Sequence, residues 1–166
     1  MASSRKKAIV RTVTNQLLHG YLPLTGLLDH DSIALLDLEG RILSISLANV
    51  RTVSYVRDFN LNDRDDPERL TRRTFMARPR SEGLWVRITF SGGDILEGLA
   101  PLDVALLDNL LEDRGLFLIP PDIRSNTQRV FVPRAAIASL QVLAVITTPS
   151  KAKAALEALP LFPDPS

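Results

Sequence analysis

The sequence predicts a mainly β protein, in which two small five-stranded antiparallel barrels follow one another, joined by a charged linker and followed by a short C-terminal helix. Three observations predict this class: alternating apolar segments, short runs that end at glycine or proline, and a spacing that recurs in both halves. We place the first barrel at 1–56, the linker at 57–83, the second barrel at 84–148, and the helix and tail at 149–166.

The beginning of the chain fits two interpretations. Ile9, Val13 and Leu17 recur every four residues, as they would on a helix. β-Branched residues are frequent across 8–21, however, which favours a hairpin that turns near Asn15.

The next segment, 32–47, is predicted to be a hairpin that turns at Glu39-Gly40. Leu43, Ile45 and Leu47 alternate with serines there, so they are predicted to face inward. A further strand follows and completes the first unit.

The second half shows the clearest alternation of the chain. Leu84–Phe90 places every second residue on one apolar face, the turn residues Ser91-Gly-Gly-Asp94 follow, and Ile95–Leu99 supplies the returning strand. Gly98 is predicted to stand where a strongly bent strand has no room for a Cβ.

Three more strands are predicted downstream. Gly115–Pro120 and Arg129–Pro133 are short apolar runs that end at proline, which cannot continue a ladder. Ala136–Val145 is the last strand, and its predicted inward residues are Ile137, Leu140 and Val142.

The two halves share a spacing that indicates an internal repeat. At an offset of 87, the first-half residues Leu43, Ile45, Val50, Val53 and Tyr55 fall on Val130, Val132, Ile137, Leu140 and Val142. At an offset of 78, the segment His19–Leu22 falls on Glu97–Ala100. Because inward positions stay inward in this alignment, we expect one architecture to occur twice.

The second copy resembles the small barrels of the Sm/LSm-like family, of the SH3 type. The resemblance rests on 86–99, with its glycine turn and Gly98, and on 130–137. It implies the five-stranded fold. The family's RNA-contacting Arg-Gly is replaced here by Pro133-Arg134, so the resemblance does not carry over that RNA site. The run Val53–Phe59 also resembles an uncharacterised bacterial family, which implies no activity.

Composition excludes several classes of protein. The chain is 45% apolar with a net charge of +1, which is unlike a disordered tail, and no apolar run approaches the ~20 residues of a membrane helix. It has no cysteine, and Arg11 interrupts the segment where a signal peptide needs an apolar core. We expect a cytoplasmic protein without a membrane partner. The one predicted helix spans Lys151–Leu159, between Ser150 and Pro160.

Candidate catalytic and metal-ligating residues are few. Asp29, His30 and Asp31 bring together the residue types of a metal site or an acid/base pair, but neighbours on a turn rarely converge on one ion. His19 has no second histidine placed to assist it, and the loop at Ser91 lacks the lysine and helix of a phosphate-binding loop. We therefore predict no catalytic residue, metal site, cofactor or small-molecule substrate.

Arginines in the linker are the candidate binding residues. Their planar guanidinium groups suit phosphate, and Phe75 lies among them. Acidic residues stand immediately upstream and could neutralise them instead. The candidate nucleic-acid-binding residues are Arg69, Arg72, Arg73, Arg78, Arg80 and Arg134.

Three functions remain open at this stage. The first is a non-catalytic assembly module that associates with copies of itself, or with a protein partner, through strand edges. The second is RNA binding through the arginine-rich arm. The third, with the least support, is a metal-dependent hydrolase that uses Asp29, His30 and Asp31.

Overall fold

The computed structural model describes residues 5–23, 25–70, 72–102, 114–122 and 124–147. Eleven strands are the main elements of this part, together with two short 3-10 helices, η1 (Leu47–Asn49) and η2 (Arg134–Ala136). The strands are β1 (Arg5–Thr12), β2 (Leu17–Pro23), β3 (Leu28–Asp29), β4 (Ser32–Asp37), β5 (Ile42–Ser46), β6 (Val50–Val56), β7 (Gly83–Phe90), β8 (Ile95–Ala100), β9 (Gly115–Leu118), β10 (Thr127–Pro133) and β11 (Ile137–Ile146). The predicted mainly β class is confirmed.

The strands form two open antiparallel sheets. The larger has eight strands in the order β3-β4-β2-β1-β6-β10-β9, with β5 paired to β4. The smaller has the order β11-β7-β8. An isolated bridge between Leu99 and Ile119 connects β8 to β9 and thus joins the two sheets.

The described strands do not close into the two barrels that the sequence predicted. A strand has two hydrogen-bonding edges, and both edges of β6 are occupied, one by β1 and the other by β10. Likewise β10 lies between β9 and β6. Pairing between the halves therefore takes the place of closure within each half.

The hairpins are present where alternation predicted them. Residues 8–21 form the β1–β2 hairpin, in which Asn15 has a positive φ of 66°. Ser91–Asp94 is the turn between β7 and β8, and the amide of Phe90 donates to the carbonyl of Asp94. Positive φ suits asparagine and glycine, so turn chemistry explains both reversals.

The two halves use the same order of pairing. The first half pairs as β6-β1-β2-β4-β5, and the second as β11-β7-β8-β9-β10, where the single bridge connects β8 and β9. The helices η1 and η2 begin 87 residues apart, each between the last two strands of its half. This spacing equals the offset found in the sequence.

Two large apolar clusters form most of the core, and a small third one holds Ile9, Val56 and Phe59. The first lies mainly between strands of the first half and includes Val10, Leu35 and Tyr55, and Phe131 of β10 also belongs to it. The second includes Val86, Ile88 and Leu118. Because β10 contributes to both clusters, its side chains connect the two halves as its backbone does.

Two glycines at equivalent positions of the two halves lie where neighbouring strands approach closely. A Cβ on Gly98 would lie 2.8 Å from the Cβ of Leu118 and 3.0 Å from the carbonyl oxygen of Ile119. A Cβ on Gly20, in the corresponding strand of the first half, would lie 2.4 Å from the carbonyl oxygen of Leu36. The prediction that Gly98 stands where a Cβ has no room agrees with these distances.

Some predictions fall outside the described residues. The helix predicted for Lys151–Leu159 is among them, and the four-part division of the chain stays a prediction. Within the described ranges, no helix is long and apolar enough to cross a membrane.

We expect Gly20→Ala and Gly98→Ala each to lower the free energy of unfolding by about 1–3 kcal/mol, because the added methyl forces packed strands apart. Gly92→Ala is the matched control, since a Cβ there meets nothing within 4 Å. Urea denaturation measures all three. A Gly98→Ala variant as stable as Gly92→Ala would show that the close approach carries no energy.

Candidate functional site

The junction between the halves is an antiparallel pairing of β6 with β10. Arg129 lies opposite Tyr55, Val130 opposite Ser54, and Phe131 opposite Val53. These residues are widely separated in sequence, so the pairing is an edge-to-edge contact of two units rather than a hairpin. Backbone hydrogen bonds of this kind are a general mode of recognition between β proteins.

Side chains reinforce this junction. Tyr55 is 1% exposed, and its hydroxyl donates to the carbonyl oxygen of Pro23 at 2.7 Å. Burial raises the pKa of Tyr55 to about 12, although Arg129 acts in the opposite direction. The guanidinium of Arg129 stacks 3.8 Å from the ring centre of Phe117. The junction thus combines a backbone ladder with well-ordered side chains.

β5 and β11 each have one edge that no described strand occupies, and the two-residue β3 also pairs only with β4. β5 pairs only with β4, and β11 pairs only with β7. Ile42 at the start of β5 is 65% exposed, and Val142 in β11 is 55% exposed. Exposed aliphatic side chains on unpaired edges are typical of surfaces that add a further strand.

The exposure of Val142 corrects the prediction that it faces the core. Ile137 and Leu140 do pack against the second cluster, as predicted. Val142 lies opposite buried Val86 and so shares its face of the sheet, but no described strand lies beyond it. Val142 is exposed because β11 lies at the edge of the smaller sheet, although the alternation of β11 places Val142 on the same face as Val86.

The predicted linker is held against the first unit. Arg11 of β1 donates to both carboxylate oxygens of Glu68, at 2.9 Å each from Nη2. Burial raises the pKa of Glu68, and the Arg11 guanidinium offsets this only in part. Thr127 of β10 donates its hydroxyl to the carbonyl oxygen of Glu68 at 2.7 Å. The segment is therefore attached to both halves.

A second buried carboxylate attaches the linker to the smaller sheet. Glu97 of β8 is 1% exposed and accepts hydrogen bonds from the Phe75 amide at 2.9 Å, from Trp85 Nε1 at 3.2 Å and from both Nε and Nη2 of Arg87. Burial acts to raise its pKa, but these donors outweigh burial and the pKa of Glu97 is lowered. The donors around Glu97 therefore favour its ionised form.

The structure brings together only part of the predicted arginine cluster. Arg72, Arg78 and Arg80 border one depression of about 360 Å³, which Phe75 and Met76 also line. Arg73 borders a different cleft, beside Arg51 and Asp94. The other two predicted arginines, Arg69 and Arg134, lie apart from this depression, Arg134 within η2.

The acidic residues upstream do not neutralise the three arginines of the depression. Glu68 pairs with Arg11, and the Asp63 carboxylate accepts from the amides of Asp65 and Asp66. The described part of the chain shows no ion pair to Arg72, Arg78 or Arg80. A small cationic surface therefore remains beside exposed apolar groups.

The residues of the hydrolase hypothesis do not form a site. Asp29, His30 and Asp31 are exposed around the turn between β3 and β4, where His30 has a φ of 56°. No group of metal-ligating side chains occurs among the described residues. His19 is half-buried beside Phe59, and burial lowers the pKa of His19.

Sequence reasoning missed the two buried carboxylates and the pairing of β6 with β10. A signal for Glu97 was present: a hairpin that turns at Gly92-Gly93 places Glu97 opposite Arg87. No local signal pointed to Glu68, because its partner Arg11 is remote in the sequence. The pairing of β6 with β10 is likewise invisible to local alternation, which predicts strands but not their neighbours.

We expect Glu97→Gln to lower the free energy of unfolding by about 2–4 kcal/mol. Arg87 then loses its ionic partner, and the NH2 group of the glutamine cannot accept the hydrogen bond that the second carboxylate oxygen accepts. Trp85 is the chain's single tryptophan, so its fluorescence follows unfolding at this position. Glu39→Gln, at an exposed turn, is the control and should be neutral.

The lowered pKa of Glu97 also sets the sign of a pH effect. A carboxylate with a lowered pKa in the folded state stabilises the protein above its ordinary titration range and loses that contribution as the pH falls. The wild type should therefore lose stability in acid more steeply than Glu97→Gln. Equal slopes would contradict the assignment of the ionised form.

Comparison with known proteins gives one match. A family model described as a family of unknown function (DUF6982) matches residues 4–144, and that description names no Sm-like or SH3-like relationship. No curated protein and no solved structure matches the chain. The expected resemblance to an uncharacterised family is thus confirmed, and the chain belongs to the DUF6982 family of unknown function.

Proposed function

We propose that this protein is a non-catalytic assembly module that associates with copies of itself through its strand edges. The observation that carries the proposal is the β6–β10 junction, in which the edge of one half already pairs with the edge of the other. β5 and β11 each offer a further edge of the same kind. The chain thus contains one completed contact and the two surfaces needed for another.

The residues of β5 and β11 favour pairing with a further strand. Natural edge strands are usually protected by charged residues, proline, bulges or short length. β11 has ten residues without a charge or a proline, although its ladder with β7 is irregular at two points. β5 also lacks charges and prolines. Few features of either strand oppose the addition of another strand.

The duplicated Sm-like architecture is part of the same proposal. Equal pairing order, equal spacing of η1 and η2, and the glycines Gly20 and Gly98 support a duplication of one small, strongly curved unit. A duplicated unit has duplicated edges, so the chain is expected to repeat its internal contact with another copy.

Light scattering after gel filtration tests self-association. We expect the wild-type protein to elute with a multiple of its 18.3 kDa mass at tens of micromolar. Val142→Lys should shift it towards a single chain, because the β11 edge then carries a charge that a pairing strand would bury. A wild type that is monomeric throughout this range contradicts the proposal.

Leu61→Lys is the matched control for that experiment. Leu61 is 60% exposed, about as much as Val142, but it lies in the turn between Asn60 and Asp63, outside both β5 and β11. This variant should keep the wild-type mass. If both variants dissociate to the same extent, the loss reflects added charge rather than the β11 edge.

RNA binding is the second candidate function, and one observation favours it. The guanidinium groups of Arg72, Arg78 and Arg80 share the depression described above with Phe75 and have no described acidic partner. Cations bind the phosphate backbone, and an aromatic ring offers a surface on which a base can stack.

Fluorescence anisotropy with a labelled 20-nucleotide oligouridine tests this second function. We expect the triple variant Arg72→Ala, Arg78→Ala, Arg80→Ala to weaken binding and to reduce the slope of log affinity against log salt by about 2–3. Absence of wild-type binding at 50 mM salt, or an unchanged slope in the triple variant, excludes this site.

A second triple variant controls for net charge. It removes three arginines that lie outside the depression. It should keep most of the affinity if the depression is the binding surface. The residues replaced by alanine in this control are Arg5, Arg41 and Arg64.

A further inference from the structure

We infer that β11 of one copy pairs antiparallel with β5 of the next copy, in a register that places Val142 opposite Ile42. This inference rests on the proposed self-association and specifies its partner, its edges and its register. The contact inside the chain shows how these two kinds of edge fit together.

The offset between the halves identifies the equivalent strands. β5, η1 and β6 correspond to β10, η2 and β11 at an offset of 87. The internal contact joins β6 of the first half to β10 of the second. The equivalent strands are β11 of the second half and β5 of the first, each of which has an unoccupied edge.

The same offset transfers the register residue by residue. Tyr55 and Arg129 are opposite each other in the chain, and their equivalents are Val142 and Ile42. The two neighbouring internal pairs have equivalents that extend the ladder. These predicted pairs are Leu43 with Gln141 and Ser44 with Leu140.

Differences in burial between equivalent strands support the inference. Tyr55 and Ser54 of β6, which has β10 at its side, are buried, whereas their equivalents Val142 and Gln141 of β11 are exposed. β10 and β5 differ in the same direction, since Val130 is buried and Leu43 is not. In each comparison, the strand without a partner is the more exposed one.

The geometry of the contact is head to tail. β11 and β5 are different surfaces, so each copy uses one to bind its predecessor and the other to bind its successor, and a ring or an open filament results. Pairing of β11 with β11 about a two-fold axis is the main alternative. The two arrangements bring different residues together, which makes them distinguishable.

Single cysteine variants provide the test, because the chain has no cysteine of its own. Ile42→Cys and Val142→Cys are purified separately and mixed in a buffer containing oxidised glutathione. Each disulfide between copies consumes two thiols and reduces one oxidised glutathione to two reduced molecules. Directly opposite residues have Cβ atoms ~5 Å apart, close to the separation that a disulfide requires.

We expect the mixture to give a covalent dimer on a non-reducing gel, at least tenfold more than either variant alone. Ala138→Cys, mixed with Ile42→Cys, is the register control. Ala138 lies four residues from Val142 along β11, ~13 Å away, and should give little product.

The other outcomes separate the two proposals. If the wild type is an oligomer but Val142→Cys alone forms the dimer, or Ala138→Cys reacts as well as Val142→Cys, then the head-to-tail register is wrong and self-association stands. If the wild type is an oligomer and no mixture of cysteine variants yields a covalent dimer, then the oligomer does not form through these edges. If the wild type is a monomer and no cross-link forms, both proposals fail.

Discussion

The antiparallel ladder between β6 and β10 is the interaction on which the rest of this architecture depends. It occupies one edge of each strand, so neither half can close on itself, and the strands extend into one open eight-stranded sheet. It also covers Tyr55, whose hydroxyl then finds an acceptor in Pro23. Without this ladder no strand pairing would join the described parts of the two halves, since the bridge from Leu99 to Ile119 lies within the second half.

The linker is held in place by two buried carboxylates, its own Glu68 and Glu97 of β8. An ionised carboxylate is costly to bury unless donors surround it. Arg11 and the Thr127 hydroxyl fix the segment around Glu68, and the Phe75 amide fixes its later part to Glu97. Glu68 is thus paired with Arg11, and the described structure shows no ion pair to Arg72, Arg78 or Arg80.

The sequence predicted what depends on neighbours along the chain. Alternation located the strands, and turn residues located the reversals near Asn15 and at Ser91–Asp94. The sequence could not predict whether the strands close into barrels. Alternation fixes which face of a strand is buried, but not which strands pair along their edges. Val142 shows the difference: the face of β11 on which it lies was predicted correctly, but its burial was not. The fold likewise divides the predicted arginine cluster, because Arg73 and its neighbour Arg72 border different depressions.

The proposed duplication would explain why the internal contact leaves β5 and β11 with an unpaired edge. When two copies of a unit are joined, one edge of each is used at the junction, and the opposite edge of each is left over. Under this proposal the two remaining edges are complementary, since each is the counterpart of a strand in the junction. Pairing with another copy would then occupy them in the way that the junction occupies β6 and β10.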